Sequence, residues 1–243
     1  MSYEVVSAVY DRFSGVDVKA RADFLARVFC RQKGGIILDV GCGSGKVTAL
    51  MADRGFSMIG CDQSPLMLDA AAENAAGKDV LLLCQSAEKL DLYGTVDGAY
   101  AVGDVINHFV DEKRLLKALK RISLFLVPKG LFVFDVNTEK KFEKTLGQNV
   151  FYYEDENDSL LWRCDYDKNT RLCRNDFTLF TKKGEEYSKS VEAFYEKRYG
   201  DAKLRELLSE AGFEVIKVYG GEFKRRAPKA DDDRTVYIAK KVR

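Results

Sequence analysis

Apolar runs and helix-spaced apolar positions alternate along the chain from about Gly35 to Leu146. Five short apolar runs are typical of strands that are buried on both faces of a sheet. They lie at residues 36–40, 57–61, 80–84, 96–102 and 131–136. Over residues 112–126, leucine and isoleucine recur every three or four positions, which predicts an amphipathic helix. The alternation as a whole predicts a parallel sheet with helices on both faces.

The pattern changes near residue 147. Between Val150 and Tyr199, aromatic and apolar residues alternate with charged ones, and turn-type pairs such as Lys183-Gly184 interrupt them. This period of two predicts three or four antiparallel strands joined by hairpins. A helical pattern from Asp201 and strand-like segments then return. We therefore predict an α/β core at 1–146 and 200–243, with an antiparallel β insertion at 147–199 that covers the substrate side as a lid.

The composition excludes several classes of protein. Lysine and arginine (39) nearly cancel aspartate and glutamate (38), so no overall charge attracts the chain to duplex DNA or to a membrane. No apolar stretch has the length of a membrane span, and the first residues lack the apolar segment of a secretory leader. The six cysteines form no Cys-x-x-Cys pair and accompany one histidine. We expect no metal site and a cytoplasmic protein with reduced thiols.

Alternating glycines directly follow the first predicted strand. Gly41, Gly43 and Gly45 come after the run at 36–40, and apolar positions with helical spacing continue from Val47. Only glycine lets the backbone both turn sharply and approach a ligand closely. A strand, a glycine turn and a helix form the entry half of a nucleotide-type binding site in an open α/β sheet.

Two aspartates indicate which ligand this turn serves. Asp62 ends the second run, where a carboxylate can accept hydrogen bonds from both ribose hydroxyls. Asp39 precedes the glycines, where its charge suits a cationic group and disfavours a pyrophosphate. The dinucleotide fingerprint also requires glycine where this chain has Lys46. An adenosine with an amino-acid tail therefore fits the turn better than NAD does.

Four segments in order resemble the motifs of class I S-adenosylmethionine-dependent methyltransferases and cover roughly residues 35–136. The first is the glycine turn, residues 38–45, and the second is the acidic segment Gly60-Cys61-Asp62 with the helix start that follows. The others are Ser86-Ala87-Glu88 and the strand entry Pro128-Lys129-Gly130-Leu131. The insertion after the fifth strand is similar to that of a subset of bacterial members. The resemblance implies a Rossmann-like sheet of seven strands, the last antiparallel, with S-adenosylmethionine at the carboxyl ends of strands one to four.

The resemblance also implies a role for individual positions. The implied cofactor-binding residues, from the methionine end to the adenine end, are Tyr10, Asp39, Gly41, Gly43, Gly103, Asp62, Gln63, Met67, Ser86 and Ala87. The first four would hold the methionine moiety, and Gly103 would line the sulfonium side. Asp62 would bind the ribose, and the last four would flank or contact the adenine.

Candidate residues for the methyl acceptor lie directly after the fourth strand. In-line methyl transfer needs alignment and exclusion of water, although an amine or hydroxyl acceptor can also need a base. Asp104 and His108 lie in the segment expected to face the reactive end of the cofactor. We predict that one of them positions or deprotonates the acceptor. The alternative is structural: Asp104 caps the following turn and His108 packs at a loop junction.

The predicted function is therefore a methyltransferase acting on a small molecule, with RNA as a second candidate acceptor. Duplex DNA is disfavoured because Gly103-Asp104-Val105-Ile106 stands where enzymes that methylate base amines carry an Asn/Asp-Pro-Pro-aromatic tetrad. The alternative function is a catalytically silent regulatory or scaffold protein that binds S-adenosylmethionine. A nicotinamide oxidoreductase is disfavoured by Asp39 and Lys46.

Overall fold

The computed structural model describes residues 17–242. The α-helices of this part of the chain are α1 (Val18–Val28), α2 (Lys46–Ala52), α3 (Pro65–Asn74), α4 (Glu112–Phe125) and α5 (Asp201–Glu210). Its strands are β1 (Ile36–Val40), β2 (Ser57–Asp62), β3 (Val80–Cys84), β4 (Val96–Ala101), β5 (Leu126–Asn137), β6 (Val150–Glu154), β7 (Asp158–Asp167), β8 (Leu172–Lys183), β9 (Glu186–Lys197), β10 (Phe213–Gly220) and β11 (Arg234–Lys241). Short 3₁₀ turns lie at Cys30–Gln32 and Ala87–Lys89, and a π-helical turn at Lys141–Leu146.

Seven strands form the main sheet in the order β10-β11-β5-β4-β1-β2-β3. The pairs β1–β2, β1–β4, β2–β3 and β4–β5 are parallel, whereas β11 runs antiparallel to both of its neighbours. The strand order reverses between β1 and β4, and ligands of open α/β sheets bind at the carboxyl ends of the strands at such a point. The predicted Rossmann-like, seven-stranded and mostly parallel sheet is confirmed.

Helices cover both faces of the main sheet. On one face, Leu115 and Leu119 of α4 and Leu208 of α5 pack against β5. On the other, Phe24 of α1 and Met51 of α2 pack against β1 and β4. Strands buried on both faces carry near-continuous apolar runs, which is why the runs could be found in the sequence. None of the helices within residues 17–242 is long and apolar enough to cross a bilayer.

Four antiparallel strands, β6-β7-β8-β9, form a second sheet, which we call the insertion sheet. Its inner face buries alternate residues, among them Leu160, Phe177 and Phe194. Met67 of α3 packs into the same cluster, so the insertion sheet lies over the carboxyl ends of the main strands. The predicted antiparallel insertion after the fifth strand is therefore present. Its description as a separate substrate-side domain at 147–199 stays a prediction.

One buried side chain joins the two sheets. Asn107 donates a hydrogen bond from Nδ2 to the Lys197 carbonyl oxygen at 2.9 Å, and its Oδ1 accepts one from the Asn137 backbone at 2.9 Å. Asn137 ends β5 and Lys197 ends β9, so Asn107 fixes the last residues of these strands side by side. Since an unpaired buried backbone group is costly, this contact helps to fix the position of the insertion sheet.

The fifth strand differs from the sequence prediction at its start. It begins at Leu126, immediately after α4, rather than at Leu131. Its pairing with β4 shifts from Val96–Leu126 to Gly98–Leu131, so residues 127–130 bulge out of the ladder. The segment Pro128-Lys129-Gly130, expected as the entry to the strand, forms this bulge, which proline and glycine tolerate because few ladder bonds are lost there.

Candidate functional site

A cavity of about 490 Å³ lies between the carboxyl ends of the main strands and the inner face of the insertion sheet. Ligand pockets commonly have a volume of about 300–1,000 Å³. Among the residues lining it from the main sheet are Gly41, Gly43, Asp62, Gln63, Met67, Ser86, Ala87, Gly103, Asp104 and His108. Those from the insertion sheet are Phe151, Tyr153, Leu160, Trp162, Phe177, Phe194 and Glu196. The structure thus brings most of the predicted site residues to one cavity.

The glycine turn leaves its backbone open to this cavity. Gly41 has a φ of +70°, and a Cβ there would lie 2.8 Å from Val105 Cγ2. Gly45 has a φ of +71°, and a Cβ there would lie 2.8 Å from the Cβ of Ala71. Both the backbone angle and the space therefore require glycine. The turn can approach a ligand as closely as the sequence predicts.

Asp62 is held at the rim of the turn by backbone amides. Its Oδ2 accepts a hydrogen bond from Gly43 at 3.0 Å and its Oδ1 one from Ser64 at 2.9 Å. Burial raises the pKa of Asp62 above its ordinary value, and the amide hydrogen bonds partly offset this rise. A carboxylate fixed in this way and lining the cavity still has free lone pairs for ribose hydroxyls.

Asp39 occupies a different place from the one expected of a direct ligand contact. Its side chain is 2% exposed and is not part of the cavity lining formed by residues 17–242. It accepts a hydrogen bond from Thr48 Oγ1 at 2.6 Å, which ties the end of β1 to α2. Burial raises the pKa of Asp39 to about 7. Its contact with the methionine moiety stays a prediction, and the observed bond supports the turn from behind.

Asp104 forms an ion pair instead of facing the cavity alone. It follows Gly103 in a sharp bend with a φ of +69°, unusual for a residue with a side chain. Arg234 of β11 donates hydrogen bonds to both Asp104 and Asp135, and Asp135 in turn accepts one from the Gly103 amide at 2.8 Å. Burial would raise the pKa of Asp104, but the Arg234 guanidinium outweighs it and lowers that pKa to about 2. Asp104 is therefore a weak base.

His108 lies one turn beyond Asp104 and lines the same cavity. Its ring centroid is 5.1 Å from that of Phe194 on the insertion sheet. Burial lowers the pKa of His108, and the nearby Asp104 opposes this only in part. The imidazole is consequently neutral near pH 7 and can accept a proton or a hydrogen bond.

Comparison with known proteins agrees with this geometry. Residues 37–130 match the model of the methyltransferase domain family. The chain is 27% identical to a putative methyltransferase of Geobacillus sp. (strain WCH70), over 99% of this chain and 100% of the relative. These matches support a class I S-adenosylmethionine-dependent methyltransferase. The predicted family, activity and cofactor are thereby confirmed.

Solved structures share the fold of the methyltransferase over its whole length. An S-adenosylmethionine-dependent methyltransferase from Clostridium acetobutylicum ATCC 824 superposes with a TM-score of 0.87 at 24% identity, covering 98% of both chains. CalS10, an amino pentose methyltransferase from Micromonospora echinaspora, superposes with a TM-score of 0.77 at 20% identity, covering 99% of this chain and 98% of that one. The insertion sheet lies within both alignments.

The residues present fit S-adenosylmethionine. The glycine turn has no room for side chains at Gly41 and Gly45, and Asp62 presents a fixed carboxylate beside it. Tyr10, predicted to cap the methionine carboxylate, lies outside the described residues. The other predicted positions apart from Asp39 line the cavity of the methyltransferase. Their individual contacts stay predictions.

Three further residues that were not predicted from the sequence also line the cavity: Glu196, Asn137 and Arg234. Glu196 had a detectable signal, since it follows Phe194 by two positions and so falls on the inward face of β9, where a charge is unusual. Arg234 could not be found in this way, because only the tertiary structure brings β11 beside Asp104.

Proposed function

We propose that this methyltransferase transfers a methyl group to a small organic acceptor held beneath the insertion sheet. The observation that carries the proposal is a single cavity running from the glycine turn to the aromatic inner face of that sheet. A concave pocket with an aromatic wall opposite polar groups suits a small molecule. The near-neutral charge of the chain also favours a small molecule over a nucleic acid.

We infer that the cofactor half of the cavity is formed by the predicted positions that line it. They are Gly41, Gly43, Gly103, Asp62, Gln63, Met67, Ser86 and Ala87. Asp39, through its hydrogen bond from Thr48, would also hold β1 and α2 in register. Because all six cysteines are unpaired, we place the protein in the reducing cytoplasm.

The acceptor half would use Asp104 and His108 for different tasks. When bound, S-adenosylmethionine supplies a methyl group already activated on a sulfonium, so the protein must mainly align the acceptor and exclude water. Asp104, paired with Arg234, would fix the bend at Gly103 and orient the acceptor. His108, neutral and lining the cavity, is the better candidate for taking a proton.

Relatives of the chain act on both classes of acceptor that the sequence leaves open. A glycine/sarcosine N-methyltransferase of Parasynechococcus marenigrum (strain WH8102) is 29% identical over 52% of this chain and 47% of the relative. A tRNA (carboxymethyluridine(34)-5-O)-methyltransferase of Xenopus tropicalis is 31% identical over 58% of this chain and 23% of the relative. The aromatic half of the cavity leads us to favour the small molecule.

Transfer of a labelled methyl group tests this proposal. Protein that binds S-adenosylmethionine by calorimetry is incubated with the labelled cofactor and either a panel of small amines, alcohols and carboxylic acids or bulk tRNA. We expect label in a small molecule, and loss of that transfer in His108→Ala with cofactor binding retained. Label in tRNA alone would refute the small-molecule assignment, and cofactor binding without transfer would support the silent alternative.

A further inference from the structure

A buried carboxylate lies at the end of the acceptor half of the cavity. Glu196 belongs to the inner face of β9, is 6% exposed and lines the cavity. Asn107 holds the neighbouring Lys197 against the end of β5, which brings Glu196 beside Asn137. The two side chains are thus fixed by backbone contacts rather than by a flexible loop.

Hydrogen-bond donors are scarce around this carboxylate. Among the described residues, the hydrogen bond found for Glu196 comes from Asn137 Nδ2 at 3.4 Å, near the limit of such a bond. Asn137 is 2% exposed, and its Oδ1 has no hydrogen-bond partner within the described part of the chain. A carboxylate and an amide oxygen together can accept several more hydrogen bonds. Buried acceptors left unpaired are costly, so this pair calls for a donor from a ligand.

The surrounding charges favour a cationic donor. Asp104 and the Cys173 thiol lie near Glu196, and Cys173 is its cross-strand partner on β8. The charge of Lys141 lowers the pKa of Glu196, but less than burial and the charge of Asp104 raise it, and Arg234 is already paired with two aspartates. Burial, with the charge of Asp104 added, raises the pKa of Glu196 well above its ordinary value. An ammonium group placed here would relieve the cost of holding this carboxylate charged.

An aromatic wall stands next to the carboxylate. Trp162 stacks on Phe177 with centroids 5.4 Å apart, and Phe177 stacks on Phe194, also at 5.4 Å. Phe194 is two residues from Glu196 on the same face of β9. Aromatic faces attract cations and bury the apolar body of a ligand.

From this arrangement we propose that Glu196 and Asn137 form an amine-binding subsite, in which the Glu196 carboxylate and Asn137 Oδ1 accept hydrogen bonds from the amino group of the methyl acceptor. The acceptor class is then a primary or secondary amine with an apolar body that lies on the Trp162–Phe177–Phe194 wall. The inference rests on the proposed function, because it names the acceptor of that same cavity. An ionised carboxylate acceptor offers no donor to Glu196 or to Asn137 Oδ1, and an alcohol offers one, whereas the ammonium form of a primary amine offers three and that of a secondary amine two. The bound ammonium then loses a proton, for which His108 is the candidate base, before its lone pair takes the methyl group.

A binding experiment tests the subsite without turnover. Trp162 is the only tryptophan of the chain, so its fluorescence reports occupancy of the acceptor half. Protein saturated with S-adenosylhomocysteine is titrated with phenethylamine and benzylamine, and with 2-phenylethanol, benzyl alcohol and 3-phenylpropionate as matched non-amines. We expect the amines to bind at least tenfold more tightly than the alcohols, and Glu196→Gln to reduce this preference below threefold. The control Glu186→Gln, at the exposed start of β9, should keep the full preference.

The outcomes separate this inference from the proposed function. Equal binding of amines and alcohols by the wild-type protein, absence of amine binding, or a preference that survives in Glu196→Gln would overturn the subsite. If Glu196→Gln fails to fold, the comparison of amine and alcohol binding by the wild-type protein still tests the subsite. Methyl transfer to an alcohol, a carboxylic acid or RNA would overturn the subsite and leave the methyltransferase activity intact. Failure to bind S-adenosylhomocysteine would instead count against the cofactor site.

Discussion

Two carboxylates of one cavity behave in opposite ways because their neighbours differ. Asp104 touches the Arg234 guanidinium, which lowers its pKa to about 2 against the effect of burial. Glu196 is buried with no such partner among the described residues, and burial raises its pKa well above the ordinary value. At the scale of the residue, chemistry is set by the nearest charge and by access to water rather than by residue type.

Replacing Gly41 by alanine should both strain the turn and create a collision. A left-handed φ costs a residue with a Cβ about 1–2 kcal/mol, and overlap with Val105 adds about 1–3 kcal/mol. We expect Gly41→Ala to lower the free energy of unfolding by about 2–5 kcal/mol in urea titrations. Gly77 has a positive φ but open space around it, so Gly77→Ala should show the strain alone. Equal losses of unfolding free energy in the two variants would contradict a collision between the added Cβ and Val105.

The buried carboxyl of Asp39 should make stability depend on pH. The folded protein keeps its proton up to about pH 7, whereas the unfolded chain releases it near the ordinary value of 3.8. Protonation of Asp39 therefore adds to the free energy of unfolding. This contribution is complete below the pKa of Asp39 in the unfolded chain and is lost as the pH rises to its pKa in the folded protein. Relative to Asp39→Asn, the wild-type protein should lose about 2 kcal/mol between about pH 5 and pH 7. A pH-independent difference in unfolding free energy would show that Asp39 is not buried in this way.

At the scale of the element, the acceptor half of the cavity depends on where β9 lies relative to the main sheet, and not only on whether β9 forms. Its period of two could be read from the sequence, but its contacts with the end of β5, through the Asn107 side chain and through Asn137, could not. No local pattern marks an asparagine as a bridge between two sheets. The sequence therefore shows that the residues lining the acceptor half face inward on their strands. It does not show that they lie next to the cofactor half of the cavity.

Removing the Asn107 side chain should loosen the insertion sheet. Asn107→Ala leaves the Lys197 carbonyl and the Asn137 amide without partners, at about 1–3 kcal/mol for each buried group. We expect a loss of about 2–6 kcal/mol in unfolding free energy and faster hydrogen exchange at the Asn137 amide. The matched variant Asn169→Ala, in the exposed β7–β8 turn, should change neither. Unchanged exchange at Asn137 would remove Asn107 as the joint between the sheets.

At the scale of the whole molecule, the site exists only because two sheets meet. The main sheet supplies the glycine turn and Asp62, and the insertion sheet supplies the aromatic wall and Glu196. β11, near the end of the chain, adds Arg234 next to Asp104. The cavity therefore combines segments separated by more than one hundred residues.

Binding of the cofactor across this junction should stabilise the whole fold. S-adenosylhomocysteine at 100 times its dissociation constant adds about 2.7 kcal/mol to the folded state. For a chain of this size, that corresponds to a rise in melting temperature of roughly 5–10 °C in differential scanning fluorimetry. NADH at the same concentration should give no shift, since Lys46 stands where the dinucleotide fingerprint requires glycine. A comparable shift with NADH would contradict the specificity inferred from the turn.

The sequence alone determined the α/β core, the cofactor and the antiparallel insertion. These follow from local pattern: a buried strand is a continuous apolar run, a sharp turn needs glycine, and Asp62 follows its strand directly. Only the tertiary structure showed that Asp39 is buried outside the cavity lining, that Arg234 pairs with Asp104, and that Glu196 and Asn137 are adjacent. The physical reason is that a pKa and a hydrogen-bond partner depend on neighbours in space, and in this chain those neighbours come from strands far apart in sequence.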